Sequence, residues 1–242
     1  MKNCLHLIGS KTTMTALNNK VALVTGATGG LGRSIINKLT ASGVKVFITG
    51  RNANILKQIE QSNKSCLGSK CLDLQNTSDI KRLAEEVKPD ILINCAGVFP
   101  VSKIEDTTEE TFNETFNVNV RAPFVMMKSV IPHMKNKQWG RIVNIASSSA
   151  YAGFANTSVY CASKHALLGL TRSAYSELKE HGIRVYSFSP GSIKTKMGEL
   201  VQGQDYDTFM EPDEISDYIV NTIKYDGNMI AEEVRLNRMF VQ

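Results

Sequence analysis

The first 59 residues of this 242-residue chain contain no aspartate or glutamate, and the first acidic side chain is Glu60. The same stretch carries eight lysines and arginines, so the excess behind the net charge of +5 lies wholly within it. These cations are spaced singly, whereas a nucleic-acid-binding surface needs a clustered run or stripe. We therefore expect no nucleic-acid partner. The positive first quarter suits an anionic small ligand, although chance grouping explains it equally well.

Long apolar runs are also missing, and none approaches the roughly 18 residues of a membrane span. We therefore predict no membrane association. The cysteines show neither metal-ligand spacing nor the pattern of a secreted disulfide framework; they are Cys4, Cys66, Cys71, Cys95 and Cys161. We interpret them as reduced thiols, which predicts a cytoplasmic protein without a metal site.

Repeats, low-complexity tracts and linkers are absent, which predicts a single domain. Short apolar segments alternate with amphipathic ones, and this alternation predicts a parallel sheet with helices on both faces, the doubly wound α/β class of Rossmann type. The predicted strands are Val21–Thr25, Val44–Thr49, Ser69–Asp73, Ile91–Asn94, Ile142–Ile145, Arg184–Ser189 and Val234–Leu236. The predicted helices are Gly30–Ala41, Ile55–Gln61, Asp79–Val87, Glu109–Lys135, Val159–His181 and Asp213–Lys224.

Three local signals refine these helices. Thr107 and Glu110 have the spacing of a capping box before the longest helix. Pro123 should interrupt or bend that helix, because proline lacks the N–H group that a helix interior needs. Pro212 should start the last helix.

Residues 1–19 precede the first strand and form an N-terminal extension. The apolar stretch Cys4–Ile8 is too short for a secretory signal. The segment lacks acids, as transit peptides do, but it also lacks arginine. We expect a disordered tail, or a start codon assigned too early with Met14 as the true one.

A glycine-rich turn follows the first strand, with glycines at Gly26, Gly30 and Gly32. Strand, turn and helix in this order let backbone N–H groups at a helix N-terminus receive a pyrophosphate. The spacing differs from G-x-G-x-x-G, and a plain tight connection is the alternative. The context favours a dinucleotide site.

Two further apolar strands end in polar residues. Asp90–Gly97 ends in N-C-A-G, and Gly140–Ser147 delivers a serine thirteen residues before Tyr160. Ligands of open α/β sheets bind outside the carboxyl ends of the strands, so these residues should lie at one site.

Tyr160 and Lys164 stand four residues apart, which places them on one face of a helix. A tyrosine with its ordinary pKa near about 10 is a poor acid at neutral pH. A cation held beside it favours the phenolate and lowers the pKa. The pair is therefore a candidate proton-transfer device.

Together these motifs resemble those of the short-chain dehydrogenase/reductase family, over about residues 20–191. The matching positions are T-G-x-x-x-G-x-G at Thr25–Gly32, Asp73-Leu74, N-x-A-G at Asn94–Gly97, Asn119, Ser147, Y-x-x-x-K at Tyr160–Lys164, and Pro190-Gly191 with Thr195. The resemblance implies a sheet of about seven strands in the order 3-2-1-4-5-6-7. It also implies that residues 20–242 form one dinucleotide-binding domain.

The resemblance further implies hydride transfer between the nicotinamide C4 and a carbonyl or secondary alcohol carbon. Tyr160 would be the general acid and base, and Lys164 would hold the nicotinamide ribose and lower the phenol pKa. Ser147 would bond the substrate oxygen, and Asn119 would anchor a water in a proton relay. Ser147 could instead cap the strand end, and Asn119 could instead satisfy nearby backbone.

The dinucleotide contacts implied in this way are Gly26, Thr28, Gly30, Leu31, Gly32, Arg51, Asp73, Leu74, Asn94, Ala96, Gly97, Tyr160, Lys164, Pro190, Gly191, Ile193 and Thr195. The cofactor preference depends on the end of the second strand. An NAD site needs a carboxylate there, and this chain has Arg51, whose guanidinium suits a 2′-phosphate. NADP(H) is therefore the predicted cofactor, with NAD(H) possible. The family's second basic position, inside the glycine motif, is taken by Thr28-Gly29.

Residues from about 192 to 213 should form a mobile substrate lid. Its apolar side chains either line a pocket or pack internally; they are Met197, Leu200, Val201, Tyr206, Phe209 and Met210. The chain lacks the C-terminal glycine pair common in acyl-carrier reductases, which weakens a 3-oxoacyl thioester as substrate. We expect a carbonyl or 3-oxoacyl reductase that uses NADPH and pairs its two long helices in a homodimer or homotetramer. The alternative is a non-catalytic dinucleotide-binding sensor or scaffold.

Overall fold

The computed structural model describes residues 14–239, whose strands form one parallel seven-stranded sheet in the order β3-β2-β1-β4-β5-β6-β7. The strands are β1 Val21–Thr25, β2 Lys45–Gly50, β3 Cys66–Cys71, β4 Ile91–Asn94, β5 Gly140–Ile145, β6 Ile183–Pro190 and β7 Glu233–Leu236. The helices are α1 Gly30–Ala41, α2 Ala53–Ser62, α3 Thr77–Val87, α4 Glu109–Phe116, α5 Ala122–Lys137, α6 Ser158–Leu178 and α7 Pro212–Ile223. The predicted fold class and strand order are confirmed.

Alternate strand residues enter two separate hydrophobic clusters, because successive side chains of a strand point to opposite faces. On β1, Val24 packs with residues of α1 and α7, whereas Leu23 packs with residues of α3 and α5. Both faces are therefore covered, as a parallel sheet requires. None of the helices within residues 14–239 is long and apolar enough to cross a membrane.

The third strand begins before the predicted first residue, Ser69, and ends before the predicted last residue, Asp73. It is an edge strand with mostly half-buried or exposed residues, so it lacks the apolar signal of a central strand. Asp73 lies in the turn that follows, where its carboxylate accepts the N–H of Gln75 at 2.9 Å.

The long predicted helix Glu109–Lys135 is divided by a single wide π-helical turn at Asn117–Arg121. Pro123 is the second residue after this turn and cannot donate to the carbonyl four residues earlier, which explains the predicted interruption. The capping-box prediction is wrong, because Thr108 caps α4 by accepting the N–H of Thr111 at 3.2 Å. Thr107 instead donates to the Lys103 carbonyl.

Residues 14–19 pack onto the domain and do not form a loose tail. Met14 pairs with Tyr225, and the N–H of Thr15 donates to the Lys224 carbonyl at 2.7 Å. Leu17 is 1% exposed and belongs to a hydrophobic cluster of the core. The part of the tail prediction that concerns residues 1–13 lies outside the described residues.

Candidate active site

A cavity of about 950 Å³ opens at the carboxyl ends of the strands. Most of the predicted site residues line it, namely Gly26, Thr28, Gly30, Leu31, Gly32, Arg51, Asp73, Leu74, Ala96, Gly97, Ser147, Tyr160, Lys164, Pro190, Gly191, Ile193 and Thr195. Asn94 and Asn119 lie behind its wall. The fold thus gathers positions that are up to 169 residues apart in the sequence, from Gly26 to Thr195.

The glycine turn lies so close to its neighbours that side chains would not fit. A Cβ on Gly26, whose φ is +70°, would lie 2.7 Å from the Ala96 nitrogen, and one on Gly32 would lie 2.2 Å from the Gly26 oxygen. The N-terminus of α1 has no side-chain cap and no acidic residue in its first turn. This helix end is therefore free to bind an anion.

Buried polar side chains hold the floor of the site together. The hydroxyl of Thr25 accepts the N–H groups of Cys95 and Ala96 at 3.1 and 3.2 Å, which ties the end of β1 to the loop after β4. Asn94 is buried and donates to the Asn144 side chain at 2.8 Å. Its side chain has no access to the cavity, so we reassign Asn94 from a dinucleotide contact to a residue that positions β4 against β5.

Tyr160, Ser147 and Lys164 form the centre of the cavity. Tyr160 and Lys164 project from α6, and both side chains are buried. Ser147 follows β5, and its hydroxyl accepts the N–H of Ser149 at 3.1 Å and favours the ionised form of the Tyr160 phenol. The Lys164 ammonium donates to the Ile145 carbonyl at 2.9 Å and lies 5.6 Å from the centre of the Tyr160 ring.

Burial governs the ionisation of this pair. It raises the pKa of Tyr160 to about 12, while the hydrogen bond from Ser147 acts in the opposite direction. It lowers the pKa of Lys164 to about 8, against a rise caused by the nearby Cys95. The protein's own groups therefore do not lower the phenol pKa as expected. Further positive charge is needed to bring the pKa of Tyr160 to neutral values.

Asn119 lies in the π-helical turn and is 1% exposed. Its amide accepts the N–H of Val98 at 2.9 Å, and it donates to the Val98 carbonyl and to the Ser163 hydroxyl, both at 3.0 Å. These bonds engage both ends of the amide, so the side chain joins three elements and is not poised to hold a water. These contacts are those of the alternative, an amide that satisfies nearby backbone, and the relay role stays a prediction.

Arg51 lies at the opposite end of the cavity from Tyr160, after β2. Its side chain is 72% exposed, and its guanidinium lies 3.9 Å from the Glu114 carboxylate. Arg33, beside the glycine turn, also lines the cavity, and the sequence prediction did not include it. The sequence signal that could have identified Arg33 as a site residue was its position directly after Gly32.

Residues 192–213 cover one side of the cavity with two short 3-10 turns. Met197, Leu200 and Val201 line the cavity, whereas Phe209 is 4% exposed and packs inside the segment. Tyr206 and Met210 also lie outside the lining. The apolar side chains in the first half of the segment therefore line the pocket, whereas those in the second half lie outside its lining. Each of the two predicted alternatives thus describes one half.

Other cavity-lining residues were missed by the sequence interpretation, notably Phe99, Val101 and Phe154. Phe99 packs edge-on against the Tyr160 ring at 4.6 Å between centroids. These residues lie on irregular loops, where the sequence has no periodic pattern to show which way a side chain faces.

A dinucleotide fits this arrangement. The glycine turn and the uncapped helix end suit a pyrophosphate. Gly97 packs closely behind the cavity, since a Cβ there would lie a tight 3.2 Å from Asn119 Oδ1 and in ordinary contact, at 3.7 Å, with Lys164 Nζ. Arg51 would face one end of such a ligand, and Lys164 would face the other.

Comparison with known proteins agrees with this geometry. The family model described as short chain dehydrogenase matches residues 20–205. The 3-oxoacyl-[acyl-carrier-protein] reductase of Rickettsia bellii is 33% identical over 192 residues, which cover 79% of this chain and 80% of that protein.

Two solved structures superpose closely. One, a 4-hydroxyisoleucine dehydrogenase complexed with NADH, has a TM-score of 0.81 at 28% identity and covers 91% of this chain and 98% of its own. The other, a metagenomic short-chain oxidoreductase in complex with NADP, has a TM-score of 0.80 at 28% identity and covers 93% of this chain and 100% of its own.

Proposed function

The chain belongs to the short-chain dehydrogenase/reductase family, and from that premise we propose that it interconverts a carbonyl compound and an alcohol with a nicotinamide dinucleotide. NADP(H) is the proposed preference, and carbonyl reduction is the proposed direction. The single observation that carries the proposal is the buried pair of Tyr160 and Lys164, with the half-buried Ser147, in the same cavity as the glycine turn.

The bound dinucleotide supplies or accepts the hydride. Tyr160 would donate a proton from its hydroxyl to the substrate oxygen, and Ser147 would stabilise the negative charge that develops there. Lys164 would hold the ribose hydroxyls and present a positive charge to the phenol. At neutral pH the phenol and the ammonium both carry their protons, because the pKa values are about 12 and about 8.

The cofactor preference is proposed from the charges around Arg51. This end of the cavity contains Arg33 and Arg51, and β2 ends without a carboxylate. A guanidinium favours the 2′-phosphate of NADP, whereas an NAD site uses an acidic residue. Similar structures carry either cofactor. The preference for NADP over NAD is therefore proposed from this chain's own residues.

We also propose self-association through α5 and α6. Phe112 and Phe124 are each 46% exposed on this side of the molecule. An apolar groove of about 390 Å³ lies beside them, lined by Phe116, Asn117, Val120, Arg121, Phe124 and Leu170. A second copy of the chain would cover this surface.

The cysteines among the described residues are free thiols, which supports a reducing compartment such as the cytoplasm.

A reductase and a non-catalytic dinucleotide sensor differ in turnover. A panel of ketones, aldehydes, 3-oxoacyl thioesters and alcohols, each with the appropriate form of NADP or NAD, should reveal turnover at the nicotinamide absorbance. Binding of both cofactors is measured in parallel by calorimetry. Binding without turnover of any member of the panel would favour the sensor and contradict the enzyme.

A further inference from the structure

We infer that the substrate is an uncharged carbonyl compound with a bulky apolar substituent, and this inference rests on the proposed function. The basis is the half of the cavity beyond Tyr160, which is walled by large apolar side chains. Four of them are exposed in the structure although they face one space: Val101 at 38%, Phe154 at 51%, Met197 at 40% and Leu200 at 52%.

These side chains come from three separate loops. Val101 follows β4, Phe154 precedes α6, and Met197 and Leu200 follow β6. Exposed apolar side chains scattered over a surface need no explanation, but their convergence on one cavity does. A ligand with an apolar surface would remove them from water together.

One side of this space is held by hydrogen bonds. The Ser102 N–H donates to the Asn156 carbonyl at 2.7 Å, which joins the loop after β4 to the loop before α6. The Phe154 carbonyl accepts from both the amide and the hydroxyl of Thr157, at 3.3 and 2.9 Å. Phe154 therefore projects from a fixed turn. Phe99, which packs against the Tyr160 ring, and Phe154 both line the cavity and are its aromatic wall.

Two polar side chains at this end, those of Thr157 and Gln204, are engaged within the protein. Besides its bond to Phe154, the Thr157 hydroxyl contacts the Cys161 thiol. The Gln204 oxygen accepts from Ser192 at 2.7 Å and from Arg238 at 2.8 Å. These two side chains are therefore not free to bind a polar substituent.

Charge is also scarce at this end. Among the described residues that line it beyond Tyr160, Lys196 is the charged one, and its side chain is exposed at the rim. A carboxylate or phosphate held against the Phe99 and Phe154 wall would lose its hydration without a buried partner, which is unfavourable. The geometry thus favours a neutral apolar group over an anionic one.

The test compares kcat/KM for three ketones with NADPH and with NADH: acetophenone, its para-carboxylate and butanone. Acetophenone should exceed butanone by roughly 30-fold or more, because the ring buries apolar surface that butanone lacks. The carboxylate should lower the value by roughly 10-fold or more. A preference for butanone or for the carboxylate would overturn the inference and leave the proposed function intact.

Two variants test whether the apolar side chains of the cavity cause the preference for acetophenone over butanone. Phe154→Ala and Leu200→Ala should each reduce the preference for acetophenone over butanone by roughly 3- to 10-fold. Leu67→Ala is the matched control, since Leu67 is 53% exposed on β3, away from the cavity. Equal effects of Leu200→Ala and Leu67→Ala would contradict the inference.

If none of the ketones is turned over, binding to the protein–NADP complex decides the inference by calorimetry. Tighter binding of acetophenone than of its carboxylate, lost in Phe154→Ala, would support the apolar site while the proposed reaction fails. Equal binding, or tighter binding of the carboxylate, would overturn it.

Discussion

At the scale of single residues, burial sets the protonation state of the proposed proton donor and of its lysine neighbour. Burial raises the pKa of Tyr160 to about 12 and lowers the pKa of Lys164 to about 8. The phenol is therefore protonated at neutral pH, and further positive charge nearby would make it a better acid by lowering this pKa. The positions of these residues were predictable from the sequence, but their pKa values were not, because the values depend on burial that the sequence does not state.

The depressed pKa of Lys164 predicts a pH-dependent stability. Its pKa is about 8 in the folded protein against an ordinary 10.5, so between these values the unfolded chain binds more protons. The contribution of Lys164 to the free energy of unfolding should therefore rise as pH rises from about 8 to about 10.5, by on the order of 3 kcal/mol. Urea unfolding of wild type and Lys164→Met measures the difference. A difference that stays constant over this pH range would contradict the burial of the charged group.

Arg51→Ala should weaken NADPH binding by roughly 10- to 150-fold, because a charge-assisted bond to the 2′-phosphate is lost. NADH binding should change little. Lys57→Ala removes another exposed cation on the neighbouring helix α2 and should leave both affinities unchanged. Fluorescence titration of both cofactors against the two variants decides, and equal losses for NADH and NADPH would mean that Arg51 does not contact the phosphate.

At the scale of elements, the central strands and most helices lie within a few residues of their predicted bounds. Their apolar periodicity is strong because they are buried on a defined face. The edge strand β3 was misplaced, and the cap of α4 was assigned to the wrong threonine although α4 begins at the predicted Glu109. Cys66–Cys71 has a weak apolar signal, whereas adjacent Thr107 and Thr108 offered two caps of equal chemistry. Which of the two threonines caps α4 depends on the backbone conformation before the helix, and the structure shows that it is Thr108.

The turn before α1 gives a prediction about glycine. Gly32→Ala should lower the thermal midpoint by several degrees and greatly weaken dinucleotide binding, because the new Cβ would lie 2.2 Å from the Gly26 oxygen. Gly29→Ala is the matched control for stability, since its Cβ would meet that same oxygen at 3.4 Å. Scanning calorimetry compares the two. Equal midpoints would show that the turn is less tightly packed than described.

At the scale of the whole molecule, the catalytic half of the site could be predicted, but the substrate half could not. The glycine turn, Ser147, Tyr160 and Lys164 follow recognisable spacings, and the sheet brings them to one edge. Phe99, Val101 and Phe154 lie on irregular loops that carry no periodic pattern, although Met197, Leu200 and Val201 were candidates from the sequence. The packing of Leu17 was equally hidden, since the short segment around it has no periodic apolar pattern.

The exposed aromatic side chains on α4 and α5 predict an oligomer. Phe124→Asp should shift the protein toward monomer at micromolar concentration, because a carboxylate cannot be buried against the groove without a partner. Leu67→Asp adds the same charge at a similarly exposed position on β3 and should leave the mass unchanged. Light scattering measures both. A monomeric wild type, or identical masses for all three proteins, would contradict the proposed interface.

The central claim is that Tyr160 transfers the proton during carbonyl reduction. Tyr160→Phe keeps the ring that packs against Phe99 and removes only the hydroxyl. Turnover of the best carbonyl substrate should fall by about 10²- to 10⁴-fold while cofactor binding stays within a few-fold. Tyr175→Phe, on the same helix but outside the cavity, should retain activity. If Tyr160→Phe kept more than about a tenth of the wild-type rate, the assignment of Tyr160 as proton donor would be wrong.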